Sequence, residues 1–159
     1  MRKELFIDIE TTGLNPEKDS IEQLAYIYRE GGKIISTQDL KGDNIYPHFV
    51  GNLNEIVDRF NKEDKMYFIA YNAGFDNQFV RNMFLQNDDK YFGSYFYSPH
   101  ICVMQLAAFK FMRKGIRPDS FKLGDVCKYF KLKVDDNKLH DGLYDITLTK
   151  NLYNKLLKF

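Results

Sequence analysis

Apolar and polar positions follow two rhythms along the chain. Leu5 to Ile9 is a short apolar run interrupted by Asp8, which predicts a buried strand. Leu24, Tyr26 and Tyr28 repeat at period 2 within Ile21 to Tyr28, and Gly31-Gly32 turns that strand back into Lys33 to Leu40. Leu53, Ile56, Val57 and Phe60 have helical spacing, and Met66 to Tyr71 predicts another buried strand. Phe75, Phe79, Val80, Met83 and Phe84 form a helical stripe with Asn72 as its candidate cap. The aromatic stretch Tyr91 to Tyr97 is expected to end in a short strand before Pro99. Val103 to Met112 and Leu123 to Phe130 predict two helices joined by a Gly115-to-Ser120 loop. Ile146, Leu148, Leu152, Leu156 and Leu157 mark a last amphipathic helix. This order predicts an α/β fold with a mixed five-stranded central sheet flanked by helices.

Composition narrows the class without changing the fold. A chain of 159 residues is expected to form one domain over residues 1–159, and no repeat or Pro/Gly/Ser-rich linker divides it. With 44% hydrophobic and 28% charged residues it is an ordinary globular sequence, not a disordered or fibrous one. No run approaches the roughly 18 apolar residues of a membrane span. The first residues, Met1 to Phe6, lack the apolar stretch of a signal peptide. Cys102 and Cys127 sit among apolar neighbours and read as reduced thiols, so a cytoplasmic location and no membrane partner are expected.

Charge is unevenly spread, although the net is only +1. Residues 1–100 carry 11 basic and 16 acidic side chains, whereas residues 110–138 carry nine basic and four acidic. A basic segment beside an acidic body suits a polyanion led towards carboxylates. A solvated lysine-rich face would give the same count.

The candidate chemistry lies in three acidic clusters. Asp8 and Glu10 stand two apart on a predicted strand, so they project from one face about 6.5–7 Å apart along it. A carboxylate within Leu-Phe-Ile-Asp-Ile is costly to bury alone and needs a cation, a hydrogen-bond cage or water. Hard oxygen donors of this kind suit Mg²⁺ or Mn²⁺, and an exposed acidic strand end is the plainer alternative. Asp76 falls in the first turn of the helix after Met66 to Tyr71, where the helix dipole alone favours an acid. His140 and Asp145 cannot face one point from a regular helix, being about 140° apart around it. They converge if His140 lies on the loop ahead and Asp145 on the helix. An imidazole titrates near neutral pH and is a usable general base; a solvent-exposed loop histidine is the alternative.

Taken together, Asp8-Ile9-Glu10-Thr11-Thr12-Gly13, then Asn72-Ala73-Gly74-Phe75-Asp76, then His140 with Asp145 resemble the three motifs of DEDDh, or DnaQ-like, 3′–5′ exonucleases. That family includes the proofreading epsilon subunit of bacterial DNA polymerase III. Ser120 to Cys127 also resembles the helix ahead of the family's third motif. The resemblance covers almost the whole chain and implies an RNase H-like fold. It implies hydrolysis of phosphodiester bonds by two divalent cations, Mg²⁺ or Mn²⁺. By similarity, Asp8 would bridge both cations. Glu10 and Asp145 would hold the one serving the attacking water, Asp76 would serve the second, and His140 would act as base. Thr11, Thr12, Gly13 and Leu14 would meet the terminal nucleotides, with Asn72 and Phe75 as further substrate contacts. The implied substrates are 3′ ends of single-stranded DNA or RNA, DNA before RNA, releasing nucleoside 5′-monophosphates. A replicative polymerase is the implied protein partner. The alternatives are a ribonuclease acting on short RNA and a non-catalytic nucleic-acid-binding module on the same fold. Two departures stand out. Tyr71 occupies the place before the second motif where the family often has histidine. The stretch between Gly32 and Leu53 is short and is expected to lack the helix that polymerase-associated members carry there.

Overall fold

In the computed structural model, which describes residues 1–158, the first strand is the middle of the sheet. Strand β1 (Lys3–Thr11) pairs antiparallel with β2 (Ile21–Glu30), which pairs antiparallel with β3 (Lys33–Lys41). On its other side β1 pairs parallel with β4 (Met66–Ala70), and β4 pairs parallel with β5 (Ile101–Cys102). The order β3-β2-β1-β4-β5 is the mixed five-stranded sheet expected from the sequence. Because β1 and β4 run the same way, they end on the same side of the sheet.

Side-chain alternation on β1 divides the core in two. Leu5, Ile7 and Ile9 point into a layer filled by α1 (Ile45–Ile56), α2 (Ala73–Gln86) and the short α3 (Phe92–Tyr95). Phe6 points into the opposite layer, under α4 (Val103–Arg113), α5 (Leu123–Tyr129) and α6 (Gly142–Leu157). Asp8 and Glu10 have the parity of Phe6, so the pleat directs them to the α6 side. At the far end of the same row, buried Glu4 accepts from Arg29 Nε at 2.7 Å, and Arg29 Nη1 donates to Asn154 Oδ1 at 2.7 Å. β1, β2 and α6 are thereby fixed at the end remote from the carboxylates.

Three local expectations are corrected. The helix expected through Leu53 and Phe60 is α1, which starts at Ile45 and stops at Ile56. Its buried stripe is Ile45, Phe49 and Leu53, and Pro47 falls in the first turn, where its missing N–H is not needed. Phe60 lies beyond it in an exposed loop. The stretch between Gly32 and Leu53 therefore does carry a helix. The aromatic stretch forms α3 and a single bridge from Phe96 to Met66; the fifth strand follows Pro99 instead of preceding it. Asn72 stands at the start of α2, but its side chain makes no capping bond; its carbonyl accepts from Phe75 N at 2.9 Å. No helix among the described residues is long and apolar enough to cross a membrane.

Candidate active site

The three acidic clusters meet where β1 and β4 end and α2 and α6 begin. Carboxylate oxygens of Asp8, Glu10 and Asp145 all lie within 4.8 Å of one another. Asp76, on the first turn of α2, is buried and close enough to raise the proton affinity of Asp8. The convergence follows from small residues. Register pairs Asp8 with Ala25 and Glu10 with Gln23. Gly142, the first residue of α6, sits against those same partners. A Cβ there would meet Gln23 Nε2 at 3.0 Å and the Ala25 Cβ at 3.2 Å. A larger residue at position 142 would hold the helix away from the sheet, and Asp145 with it.

The turn ahead of α6 solves the angular problem between His140 and Asp145. His140 is exposed and adopts a left-handed φ of 70°, uncommon for a residue with a side chain. Its backbone N–H donates to Asp145 Oδ2 at 3.1 Å. Asp141 caps α6, its Oδ1 accepting from Tyr144 N at 3.0 Å.

Electrostatically, the site is strained without cations. Burial, followed by the negative charges of Asp76, Asp145 and Glu10, pushes Asp8 up from 3.8 to about 9. Burial raises Asp76 to about 7, against the pull of its own backbone N–H and that of Ile9. Burial also raises Asp145, opposed by His140. Asp8 Oδ2 and Asp145 Oδ1 are buried with no hydrogen-bond partner. Buried polar atoms are normally satisfied, and charged ones need a partner of opposite sign. A cluster of hard carboxylate oxygens, on residues two of which have an orphaned oxygen, fits a divalent cation.

The glycine loop after β1 is rigidly built. Thr11 Oγ1 donates to Gly13 O at 2.6 Å, Thr12 N donates to Ser20 O at 2.9 Å, and Ser20 N returns to Thr12 Oγ1 at 3.0 Å. Leu14 is presented at the tip, 85% exposed. Gly13 permits a close approach, since a Cβ would strike the Asp19 carboxylate at 2.4 Å. Asp19 Oδ2 in turn accepts from Asn15 N at 2.9 Å, and Asn82 Nδ2 on α2 donates to Pro16 O. Sequence reasoning missed Asp19 and Asn82. The Asp19 turn chemistry after Asn15-Pro16 was a usable signal, whereas nothing local marks Asn82. Asn72 is exposed beside the site, and half-buried Phe75 packs at a 45° tilt against Phe79, ring centroids 4.8 Å apart, at the edge of the α2 core.

Residues 5–151 match the family model described as the RNase H superfamily. The chain belongs to the RNase H superfamily. Among curated relatives it is 24% identical to ribonuclease T of Buchnera aphidicola subsp. Schizaphis graminum, over 95% of this chain and 81% of that protein. It is also 24% identical to the PolC-type DNA polymerase III of Mycoplasmopsis pulmonis, over 92% of this chain but 11% of the polymerase. The zinc-bound complex of E. coli exonuclease I with single-stranded DNA shares the fold, with a TM-score of 0.73 at 20% identity. That alignment covers 99% of this chain and 40% of exonuclease I, so the chain spans about two-fifths of that enzyme. The exonuclease resemblance read from the three motifs is borne out, and the reading of the chain as a nuclease enzyme with it.

Proposed function

We propose that the chain is a divalent-metal-dependent 3′–5′ exonuclease of single-stranded nucleic acid, DNA before RNA, that releases nucleoside 5′-monophosphates. One observation carries this reading: Asp8, Glu10 and Asp145 bring carboxylate oxygens within 4.8 Å, and Asp8 and Asp145 each have one oxygen buried without a partner. Asp8, Glu10 and Asp145 would hold one cation, with Asp76 and Asp8 serving a second, Mg²⁺ or Mn²⁺ in each case. Bound cations would neutralise the charge that grows on the phosphodiester at the transition state.

The chain's own residues supply the rest. His140, exposed at the rim and tied to Asp145 by its backbone, would accept the proton of the attacking water through its imidazole. Thr11, Thr12 and Gly13 offer backbone and hydroxyl groups to the last nucleotide. Leu14 would wedge against the terminal bases from its exposed tip, and Phe75 and Asn72 would line the opposite wall. Action in the cytoplasm, with residues 1–159 as one exonuclease domain and a replicative polymerase as partner, completes the reading. The match to a PolC-type polymerase supports that partner. The match to ribonuclease T keeps short RNA as a second substrate reading.

A time course with end-labelled linear and circular single strands of DNA and RNA, in Mg²⁺, Mn²⁺ or EDTA, tests this. Mononucleotides released from free 3′ ends, resistant circles and silence in EDTA are expected. Rapid cleavage of circles would mean an endonuclease. Faster turnover of short RNA than of DNA would favour the second substrate reading.

A further inference from the structure

The loop that carries His140 is fastened at both ends to one residue. It runs from Asp135, through a short 3₁₀ turn (Asp136–Lys138), to Asp141 at the cap of α6. At its start, the backbone N–H of Asp135 donates to the Tyr144 hydroxyl at 2.7 Å. At its finish, the Asp141 carboxylate accepts from the Tyr144 backbone N–H at 3.0 Å. Tyr144 lies in the first turn of α6, and its half-buried ring packs against the core on that side of the sheet. Its hydroxyl is therefore a fixed post. Between the two ends, Leu139 lies over Gly124 of α5, where a Cβ would meet Leu139 Cδ1 at 3.0 Å.

His140 needs that support. It is exposed and lines an open groove of about 750 Å³ with Gln23 and Lys41 among the walls. A side chain in such a setting is not fixed by packing, so its place is inherited from its backbone. That backbone is left-handed, with a φ of 70°, a conformation that persists only where the surroundings hold it. The bond from His140 N to Asp145 holds one side. The other side depends on where the loop begins, which the bond from Asp135 to Tyr144 sets. Lys128 also reaches Asp136 at 2.7 Å, but both side chains are largely exposed, and an ion pair there holds weakly.

We infer that Tyr144 is a positioning residue for the reaction: its hydroxyl, by accepting from the Asp135 N–H, sets the loop so that the His140 imidazole stands at the carboxylate cluster. It rests on the exonuclease reading for the role of His140. Phenylalanine at position 144 would fill the same space and leave the Asp135 N–H without its acceptor. A catalytic group misplaced by about 1 Å can lose on the order of 100-fold in rate.

The test compares Tyr144→Phe with Tyr153→Phe, each made in wild type and in His140→Ala. Tyr153 donates its hydroxyl to Glu4 at 3.3 Å, at the far end of the same helix, so its variant also removes one hydroxyl bond from α6. kcat and KM are measured on a short single strand of DNA in Mg²⁺. Tyr144→Phe should lower kcat by about tenfold or more with KM within about twofold, because the bond acts on the rate and not on binding. In the His140→Ala background the same change should cost less than about twofold, since residues acting as one unit are not additive. Tyr153→Phe should leave kcat within about twofold in both backgrounds. An unchanged kcat in Tyr144→Phe, a loss carried by KM, a loss that persists in full without His140, or an equal loss in Tyr153→Phe overturns the inference. Should wild type prove inert on every strand, the exonuclease reading fails separately. Hydrogen exchange of the His140 amide in EDTA then decides: exchange about tenfold faster in Tyr144→Phe upholds the support of the loop by Tyr144, and equal exchange overturns it.

Discussion

His140 and Asp145 are joined through the backbone: the N–H of His140 donates to Asp145 Oδ2 at 3.1 Å. The residue proposed as base and the carboxylate proposed as ligand thus form one local unit, and the imidazole is left out of the bond. Replacing the side chain should therefore leave the carboxylate where it is.

His140→Ala should lose about 10²–10⁴-fold in turnover, the usual worth of a general base. In wild type the rate should rise with pH as the imidazole loses its proton, then level off. The variant should lack that rise while its Mg²⁺ dependence is unchanged. A pH–rate profile identical to wild type would remove His140 from the mechanism.

Asp8→Asn should abolish hydrolysis and stabilise the metal-free protein. Asp8 titrates at about 9 in the fold against 3.8 as its ordinary value, so the folded state binds its proton more tightly. That stabilising share is complete below pH 3.8 and is lost as pH rises through 9, a swing on the order of several kcal/mol. Melting temperatures in EDTA from pH 4 to 9 should fall in wild type and stay flatter in the variant. Added Mg²⁺ should reverse the wild-type fall. Parallel curves for the two proteins would show that Asp8 is not the strained group.

Gly142→Val should push α6 off Gln23 and Ala25, at a cost of about 1–3 kcal/mol. The Mg²⁺ concentration needed for half-maximal rate should rise with it, because Asp145 moves with the helix. Gly51→Ala is the contrast. Gly51 lies exposed within α1 with nothing near a new Cβ, and the change should stabilise by roughly 0.5–1 kcal/mol with no effect on the Mg²⁺ titration. If both glycine changes shift the titration alike, the seat of α6 is not what sets it.

Arg29→Met should cost about 3–5 kcal/mol in urea denaturation, since it strips the main partner from a buried carboxylate, Glu4. Adding Glu4→Gln should recover a good part of that loss. A single variant as stable as wild type would mean Arg2, 3.1 Å from Glu4, already suffices.

The carboxylates were legible because each obeys a local rule. Asp8 and Glu10 follow strand alternation, and Asp76 and Asp145 follow the preference of acids for the first turn of a helix. The helix at Ile45 was hidden because its stripe Ile45, Phe49, Leu53 contains Pro47, and reading onward to Phe60 borrowed a residue from a loop. The fifth strand has two residues, too few for any period. Contacts such as Asn82 to Pro16 and Tyr71 to Phe121 join distant parts of the chain, and no local pattern announces them.

The site draws Asp8 from the first strand and Asp145 from the last described helix, with Asp76 between them. A ribosome delivers these pieces one after another. On the proposed exonuclease reading, a chain whose α6 has not yet docked would hold Asp8, Glu10 and Asp76 without Asp145, so the set of carboxylates proposed for the cations would be incomplete. On that reading the order of synthesis would keep the site open until α6 docks.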